Sequence, residues 1–383
     1  MSTLKSIYRP DELSALLKLK FGSKFLQKEQ DKCKDYNEDV AYCFDVLDKV
    51  SRSFAVVIRQ LPCELGINIC LFYLILRALD SIEDDMSLDK DQKVKLLRTF
   101  YKKNYEEGWT ITGVGDKEEY RELLQNYDKV IRAFGSIDSK SQEVITEICQ
   151  KMGSGMADFA DAEILSVEDY NLYCHYVAGL VGVGLSKIFA VSNLEDNTLQ
   201  FEEELSNAMG LFLQKTNIVR DYKEDLNESR TFWPKEIWVQ YGTTLNYFTT
   251  DPKGQKSISC LNHMVNDALT HVIDCLEYLK KLKNERIFKF CAIPQVMAIA
   301  TLQEVYNNPK VFLKNVKIRK GFAAKLIVKT NTIQDVIRIY KDVIKIMERS
   351  IPDDDAISKE TLRLIEQIKR YCHTESTKLK KVS

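Results

Sequence analysis

Polar and acidic side chains recur at helical spacing within residues 214–225. If this stretch is a helix, steps of three and four residues place Gln214, Asn217, Asp221 and Asp225 on one face. Two carboxylates one turn apart are hard oxygen ligands of the kind that Mg²⁺ prefers, and Mg²⁺ in turn holds the phosphate groups of a substrate. A run of charges is more often a solvated helix face. A metal site therefore needs support from elsewhere in the sequence.

A second acidic cluster supplies that support, just after the apolar residues 69–76. Because that run is hydrophobic nearly all round, we expect a buried helix whose final acids lie at the rim of a core. Asp80 and Asp84 share a face of this helix, with Glu83 beside Asp80 and Arg77 one turn earlier. Either cluster alone is weak evidence, because short acidic motifs occur often by chance. Two clusters with the same spacing favour a pair of facing metal clamps.

Further blocks of the sequence occur in the order typical of one protein family. They are residues 51–54 (SRSF), 80–85 (DSIEDD), 173–182 (YCHYVAGLVG), 214–225 (QKTNIVRDYKED), 290–295 (FCAIPQ) and 316–321 (VKIRKG). On these blocks the chain resembles the squalene/phytoene synthase family. The likeness runs from residue 51 to residue 321 and so covers most of the chain.

The resemblance implies a fold and a reaction. The fold would be all-α, a single-domain isoprenoid-synthase-type helical fold with a central cavity between helices. The reaction would join two molecules of farnesyl diphosphate head to head into presqualene diphosphate, which NADPH then reduces with rearrangement to squalene, in sterol and isoprenoid biosynthesis. Mg²⁺ would neutralise the leaving diphosphate, and an apolar cavity would keep water from the cation. The implied cofactors are therefore Mg²⁺ and NADPH.

The resemblance also assigns roles to individual residues. The implied metal ligands are Asp80, Glu83, Asp84, Asp221 and Asp225. The implied catalytic residues are Arg77, Asp80, Asp84, Asp221, Asp225, Phe290 and, as a proton-transfer group, Tyr173. The implied substrate and diphosphate contacts are Ser51, Arg52, Ser53, Phe54, Arg77, Gln214, Asn217, Arg220 and Arg230. The implied NADPH contacts are Arg52, Arg77, Lys317 and Arg319.

The residues alone leave plainer alternatives open for three of these positions. Arg52 lies between two hydroxyl side chains and could bind phosphate through its guanidinium group, or it could be an ordinary surface arginine. Arg230 could contact diphosphate or form an ion pair with Glu228 or Glu224. Phe290 could stabilise a carbocation by cation–π attraction, although aromatic stripes more often belong to a core.

The sequence offers no conventional dinucleotide site. Gly179, Gly182 and Gly184 follow a predicted helix rather than a strand, so we expect these small residues to let the backbone approach a long apolar substrate. A helical protein must hold NADPH with side chains instead. Lys317 and Arg319 offer the positive charge that phosphates require, in a basic segment defined here as residues 316–320. The alternative is a solvated basic loop.

Composition sets the remaining expectations. The 383 residues contain 7 Pro and 15 Gly without a recognisable linker, so we expect one catalytic domain over residues 1–383, with a core at 35–350 and a basic tail at 370–383. A net charge of −1 gives no indication of nucleic-acid binding. Ten cysteines without a CxxC pair are read as buried thiols of a reducing compartment. No run is judged long enough to span a membrane, and we expect a monomer.

The resemblance also predicts a membrane anchor and a cellular location. Eukaryotic members commonly carry a hydrophobic C-terminal anchor, so we expect the natural protein to continue beyond Ser383 into such a segment and to face the cytosol from the endoplasmic reticulum membrane.

The rival functions are a phytoene or dehydrosqualene synthase, which would not use NADPH, and a non-catalytic helical scaffold of the same fold. The scaffold should show eroded acidic motifs, whereas both motifs are whole in this sequence.

Overall fold

The computed structural model describes Glu12, residues 37–353 and residues 356–382, with the side chains of Arg52, Ser53, Ala356 and residues 380–382 left out. Every regular element in these ranges is a helix, which confirms the predicted all-α class. The chain divides into two compact units. Among the described residues, the amino-terminal unit comprises residues 37–162 and Leu180–Glu203, and the carboxyl-terminal unit comprises Glu163–Gly179, residues 204–353 and residues 356–382, together with Glu12. The expectation of one catalytic domain over residues 1–383 stays a prediction.

Helices are numbered in chain order. Those of the amino-terminal unit are α1 (Glu38–Val50), α2 (Arg52–Ile58), α3 (Cys63–Asp84), α4 (Lys90–Lys103), α5 (Glu118–Gln125), α6 (Tyr127–Gly135), α7 (Ser139–Phe159) and α9 (Leu180–Val191), followed by a 3₁₀ turn (Asn197–Phe201). Those of the carboxyl-terminal unit are α8 (Val167–Cys174), which runs into a π turn (His175–Gly179), α10 (Glu203–Asn227), α11 (Lys235–Trp238), α12 (Tyr247–Thr250), α13 (Gln255–Leu269), α14 (Val272–Lys281), α15 (Glu285–Val305), a 3₁₀ turn (Pro309–Phe312), α16 (Lys320–Lys329), α17 (Ile333–Glu348) and α18 (Ala356–Val382).

The amino-terminal unit is built around α3, which is buried along most of its length as its apolar sequence predicts. This helix packs against α1, α4, α5, α6, α7 and α9. At the start of α7, the Asp138 carboxylate accepts a hydrogen bond from the Ser141 backbone N–H at 2.9 Å and another from Asn68 Nδ2 of α3 at 3.2 Å. One side chain thus caps a helix and ties it to the core helix.

In the carboxyl-terminal unit, α15 packs against α14, α16 and α17, and α18 lies along α13 and α17. Helix α8 begins with a reciprocal capping box between Ser166 and Asp169. The π turn that follows α8 packs closely on α10. A Cβ atom on Gly179 would lie 1.9 Å from Asn207 Oδ1, and one on Gly210 would lie 2.1 Å from the Ala178 carbonyl oxygen.

The glycines of residues 179–184 were expected to let the backbone approach a substrate, and the structure gives two of them another role. Gly179 permits the π turn to contact α10. In the amino-terminal unit, a Cβ atom on Gly184 would lie 2.6 Å from Phe72 Cζ and 2.9 Å from Ile148 Cγ1. Both glycines are therefore required for close packing between helices.

The expectation that no segment is long enough to span a membrane is wrong. By length and composition, α3 (22 residues, mean hydropathy 1.7) and the helical stretch Val167–Val191 (25 residues, mean hydropathy 1.5) could each do so. The apolar windows of these two stretches are 72% and 50% buried inside the protein, respectively. Core helices of water-soluble proteins pass the same test, so the two segments are weak evidence for membrane insertion.

The cysteine expectation also needs one correction. Eight cysteines in the described ranges are buried thiols, as expected. Cys63 is different, because its sulfur belongs to a disulfide bond. Cys33 lies outside the described residues.

A buried ion pair fixes the orientation of α10. The ammonium nitrogen of Lys215, a residue only 1% exposed, lies 2.6 Å from Asp267 Oδ2 of α13 and 5.1 Å from the centre of the Tyr170 ring of α8. Lys215 follows Gln214 directly and so points away from the acidic face of α10. A rotation of α10 about its axis would separate this pair within a poorly solvated interior.

Replacing Lys215 by Ala should destabilise the protein by about 3–5 kcal/mol, because the Asp267 carboxylate would be left buried without its cation. The double change Lys215→Met with Asp267→Leu should recover most of that loss. Urea unfolding monitored by circular dichroism measures both effects. Lys256→Ala, at an exposed lysine of α13, serves as the control. Equal stability of Lys215→Ala and the control would contradict a stabilising role for the pair.

A histidine near this pair makes stability depend on pH. Burial lowers the pKa of His271 to about 3, and the charge of Lys215 adds to the shift. The imidazole is therefore neutral in the folded protein at pH values where the unfolded chain, with a pKa of about 6.5, already binds a proton. Stability should fall as the pH drops below about 6.5, by on the order of 1 kcal/mol per pH unit.

The variant His271→Gln removes this proton-binding site and should lose less stability than the wild type between pH 7 and pH 5. Unfolding free energies at both pH values provide the comparison. Identical losses in the two proteins would show that other groups cause the pH dependence.

Candidate functional site

The first acidic motif (Asp80, Glu83 and Asp84) lies where α3 leaves the core of the amino-terminal unit. Asp80 and Asp84 are partly exposed, whereas Leu79 and Ile82 on the opposite side of the helix are buried. Arg77 Nη1 lies 3.4 Å from Asp80 Oδ2. The predicted arrangement of an arginine one turn before two carboxylates on a common face is therefore present.

The environment of Asp80 opposes its ionisation. Desolvation raises the pKa of the Asp80 carboxyl to about 6, the charge of Asp84 adds to the rise, and Arg77 opposes it. The guanidinium group of Arg77 thus offsets only part of the free-energy cost of ionising two carboxyl groups that lie close together. A divalent cation would supply the missing positive charge, so these residues fit a Mg²⁺ site.

Arg77 is held by aromatic rings and keeps one donor unused. Its guanidinium carbon lies 5.9 Å from the centre of the Tyr73 ring and 5.3 Å from that of the Tyr120 ring. Its buried Nε atom has no hydrogen-bond partner among the described residues. A buried N–H without a partner is costly, and an anionic oxygen such as that of a phosphate would satisfy it.

Asp85 follows the motif directly but has a structural role. Its carboxylate accepts hydrogen bonds from the backbone N–H groups of Gly115 and Ser87, both at 2.8 Å. Burial of Asp85 works against ionisation, yet hydrogen bonds from Ser87 and Gly115 outweigh it and lower the pKa of this carboxyl. Asp85 therefore anchors the loop at Gly115, which has a left-handed φ of 113°.

The second acidic motif (Asp221 and Asp225) lies on α10 of the carboxyl-terminal unit. Gln214 and Asn217 lie on the same helix face as these acids, and all four side chains are partly exposed, as the spacing predicts. The opposite face, which includes the buried Tyr222, packs into the core. The helix thus presents amides and carboxylates along one side and apolar groups along the other.

Asp221 is bound from two directions. Arg220 Nε donates to Asp221 Oδ1 at 2.8 Å, and Arg220 Nη2 donates to the other carboxylate oxygen. The side-chain amide of Asn315, in the loop before the basic segment, also donates to Asp221 Oδ1. Arg220, which is predicted to contact diphosphate, is therefore paired with Asp221, a predicted metal ligand.

Asp225 has a more strongly perturbed carboxyl group. Desolvation raises the pKa of Asp225 to about 7, because the opposing charge of Arg230 does not outweigh the burial and the added repulsion from Asp221, Glu228 and Glu224. Arg230 Nη2 lies 3.4 Å from Asp225 Oδ1 and 2.9 Å from Glu228 Oε2. The structure thus forms the Arg230–Glu228 pair that the sequence left open.

The predicted proton-transfer residue lies beside this motif. Tyr173 is 6% exposed, and its ring stacks on that of Phe232 with centroids 5.0 Å apart. The Arg230 guanidinium carbon lies 5.6 Å from the centre of the same Phe232 ring. Phe232 therefore connects Tyr173 to the second acidic motif. Sequence reasoning did not assign it a role, although its position two residues after Arg230 was a usable signal.

Phe290 is buried within α15. Asn284 caps this helix by accepting from the backbone N–H of Arg286 at 3.0 Å, so the helix begins before the aromatic block rather than after it. Pro294 lies inside the helix. The buried position of Phe290 agrees with the alternative that this aromatic residue belongs to the core. The predicted role of Phe290 in stabilising a carbocation stays a prediction.

The two predicted phosphate contacts of the basic segment differ in their surroundings. The Lys317 side chain is exposed. Arg319 Nη2 donates to Glu12 Oε1 at 3.0 Å, and the Arg319 guanidinium lies 5.8 Å from the centre of the Phe322 ring. Arg319 Nε is buried and has no hydrogen-bond partner in the part of the chain that the structure describes. Positive charge and an unused donor fit the phosphates of NADPH.

The block at residues 51–54 is described only in part. Ser51 precedes α2 without a side-chain capping bond. Phe54 is 37% exposed, and its ring centroid lies 5.8 Å from that of Tyr73. The side chains of Arg52 and Ser53 lie outside the described residues.

No group of three His, Cys, Asp or Glu side chains in the described ranges converges closely enough to hold a metal ion by itself. Mg²⁺ usually binds through one or two carboxylates together with waters and substrate phosphates. The pairs Asp80–Asp84 and Asp221–Asp225 match that donor set.

Comparison with known proteins agrees with these features. A family model described as squalene/phytoene synthase matches residues 47–321. A squalene synthase of Nicotiana benthamiana is 43% identical over 100% of this chain and 92% of its own length, and an inactive squalene synthase 2 of Arabidopsis thaliana is 44% identical over 97% and 89%. A solved structure of TcSQS with the ligand BPH1237 matches with a TM-score of 0.86 and 42% identity, covering 88% of this chain and 99% of that one. With a family match over most of its length and full-length relatives above 40% identity, this chain belongs to the squalene/phytoene synthase family.

Proposed function

We propose that this chain is a squalene synthase that joins two molecules of farnesyl diphosphate into presqualene diphosphate and reduces that intermediate to squalene. The observation that carries the proposal is the presence of two acidic helix faces, each with a desolvated carboxyl group whose pKa is raised to about 6 or 7 beside an arginine. Such sites require further positive charge and accept diphosphate together with it.

The chain's own residues supply binding and orientation. Asp80 and Asp84 on α3, and Asp221 and Asp225 on α10, hold Mg²⁺, with Glu83 as a further ligand. Diphosphate is contacted by Arg52, Arg77, Arg220 and Arg230. The other residues that bind the substrate are Ser51, Ser53, Phe54, Gln214 and Asn217. Mg²⁺, when bound, neutralises the departing diphosphate, and NADPH supplies the hydride of the second half-reaction.

The remaining residues serve the carbon skeleton and the reductant. Tyr173 transfers a proton in the first half-reaction, from a buried position against Phe232. Phe290 offers an aromatic face to positive charge. Lys317 and Arg319, with Arg52 and Arg77, bind the phosphates of NADPH. We also propose that the protein acts at the endoplasmic reticulum membrane, with its catalytic part in the cytosol, and that it is a monomer.

An assay with farnesyl diphosphate and Mg²⁺, with and without NADPH, tests the proposal. The expected products are squalene with NADPH and presqualene diphosphate without it. This test is needed because an inactive relative is as similar to the chain as the squalene synthase of Nicotiana benthamiana. Equal product formation with and without NADPH would indicate a phytoene- or dehydrosqualene-type enzyme. No product from folded protein would indicate a non-catalytic scaffold.

A further inference from the structure

A loop asparagine lies against the second acidic motif. Asn315 is located between the 3₁₀ turn Pro309–Phe312 and α16. Its Nδ2 atom donates to Asp221 Oδ1 and, at 3.0 Å, to Glu224 Oε2. Since both acceptors are carboxylate oxygens, the amide nitrogen and not the amide oxygen must face them. One neutral side chain thus links two acids that lie three residues apart on α10, within one turn of the helix.

The neutrality of this bridge matters for a metal site. A lysine or arginine at this position could make the same bridge, but its charge would compete with a divalent cation for Asp221. The amide orients the carboxylate and leaves its charge in place. Its other end is also available, because Asn315 Oδ1 is buried and has no hydrogen-bond partner among the residues described. That atom can accept a hydrogen bond from a ligand or from its water.

The same asparagine begins the stretch that carries the predicted NADPH contacts. Val316, the next residue, is buried. Arg319, at the far end, is the N-cap residue of α16 and is paired with Glu12, which is itself 2% exposed. The exposed Lys317 therefore lies in a short segment fixed at both ends, and the first fixed point is a bond to Asp221.

We propose that Asn315 is a positioning residue that couples occupancy of the second acidic motif to NADPH binding by the basic segment. The inference depends on the proposed function, since it requires Mg²⁺–diphosphate at Asp221 and NADPH at Lys317 and Arg319. A ligand at Asp221 changes the carboxylate to which Asn315 is bonded, and the short backbone to Lys317 transmits that change. Because coupling between two sites is reciprocal, each ligand alters the affinity of the other by the same factor.

The test measures NADPH binding by its fluorescence, without farnesyl diphosphate, in the presence and absence of Mg²⁺ with inorganic pyrophosphate. In the wild type, Mg²⁺–pyrophosphate should tighten NADPH binding about tenfold. In Asn315→Ala and Asn315→Asp, this factor should fall to less than about twofold, because both bonds to the acids are lost. The matched control is Asn331→Ala, at an exposed asparagine whose amide donates to the Val328 carbonyl oxygen at 3.0 Å. It should keep the tenfold factor.

Calorimetric titration of Mg²⁺–pyrophosphate into wild-type protein, with and without NADPH, measures the same coupling without any variant. A wild type that makes squalene but shows no coupling overturns this inference and leaves the proposed function intact. Coupling that survives in Asn315→Ala also overturns the inference alone. A wild type that neither binds NADPH nor makes squalene overturns both.

Discussion

Replacing Asp221 by asparagine should slow diphosphate release by roughly 10²- to 10³-fold while the helix content stays unchanged. The change removes one negative charge from the second acidic motif and keeps the shape of the side chain. Arg220 and Asn315 would then contact a neutral amide, so both the affinity for Mg²⁺ and the stabilisation of developing charge should fall. Asp80→Asn should have the same effect at the first acidic motif.

Release of pyrophosphate from farnesyl diphosphate over a range of Mg²⁺ concentrations provides the measurement, and far-ultraviolet circular dichroism reports helix content. Asp161→Asn is a suitable control, because this exposed acid pairs with Lys90 and belongs to neither motif. Near-normal turnover of Asp221→Asn or Asp80→Asn at low Mg²⁺ would refute the assignment of these acids as metal ligands.

Replacing both Lys317 and Arg319 by Ala should spare the first half-reaction and reduce squalene formation about 10²-fold, because two charge-assisted contacts to NADPH are lost. Presqualene diphosphate should then accumulate even when NADPH is supplied. Product analysis by lipid extraction follows both species over time. Lys314→Ala removes another exposed lysine of the same loop and should leave the product ratio unchanged.

Two outcomes would count against this role. If the double variant loses both half-reactions, the basic segment supports the whole site rather than the reductant. If it makes squalene at the wild-type rate, NADPH is bound elsewhere.

The sequence predicted features that repeat along a helix. The common face of Gln214, Asn217, Asp221 and Asp225 follows from helical geometry alone, and the buried α3 follows from its apolar composition. The same composition made the membrane-span expectation fail, because a continuous apolar helix can be covered by neighbouring helices as well as by lipid. The apolar composition thus indicated that α3 is buried but did not show whether protein or lipid surrounds it.

Contacts between remote segments could not be predicted in this way. Asn315 meets Asp221 across 94 positions, and Arg319 meets Glu12 across 307. Nothing in the spacing of either segment indicates its partner, because side-chain pairing of this kind depends on how loops pack against helices. The resemblance marked Arg319 and Asp221 as functional, whereas Asn315 became visible only through its contacts.

The Lys215–Asp267 pair has a consequence for how relatives of this protein can diverge. Loss of one charged side chain alone would leave the other charge unpaired in the interior and lower stability. Replacing both by apolar side chains of similar volume should change the free energy of unfolding little. We therefore expect positions 215 and 267 to change together among homologous sequences, either as a lysine with an acid or as two apolar residues. The exposed face of α10, which begins one residue away at Gln214, should be constrained by ligand binding instead. Substitutions on the two faces of this helix should therefore vary independently among homologous sequences.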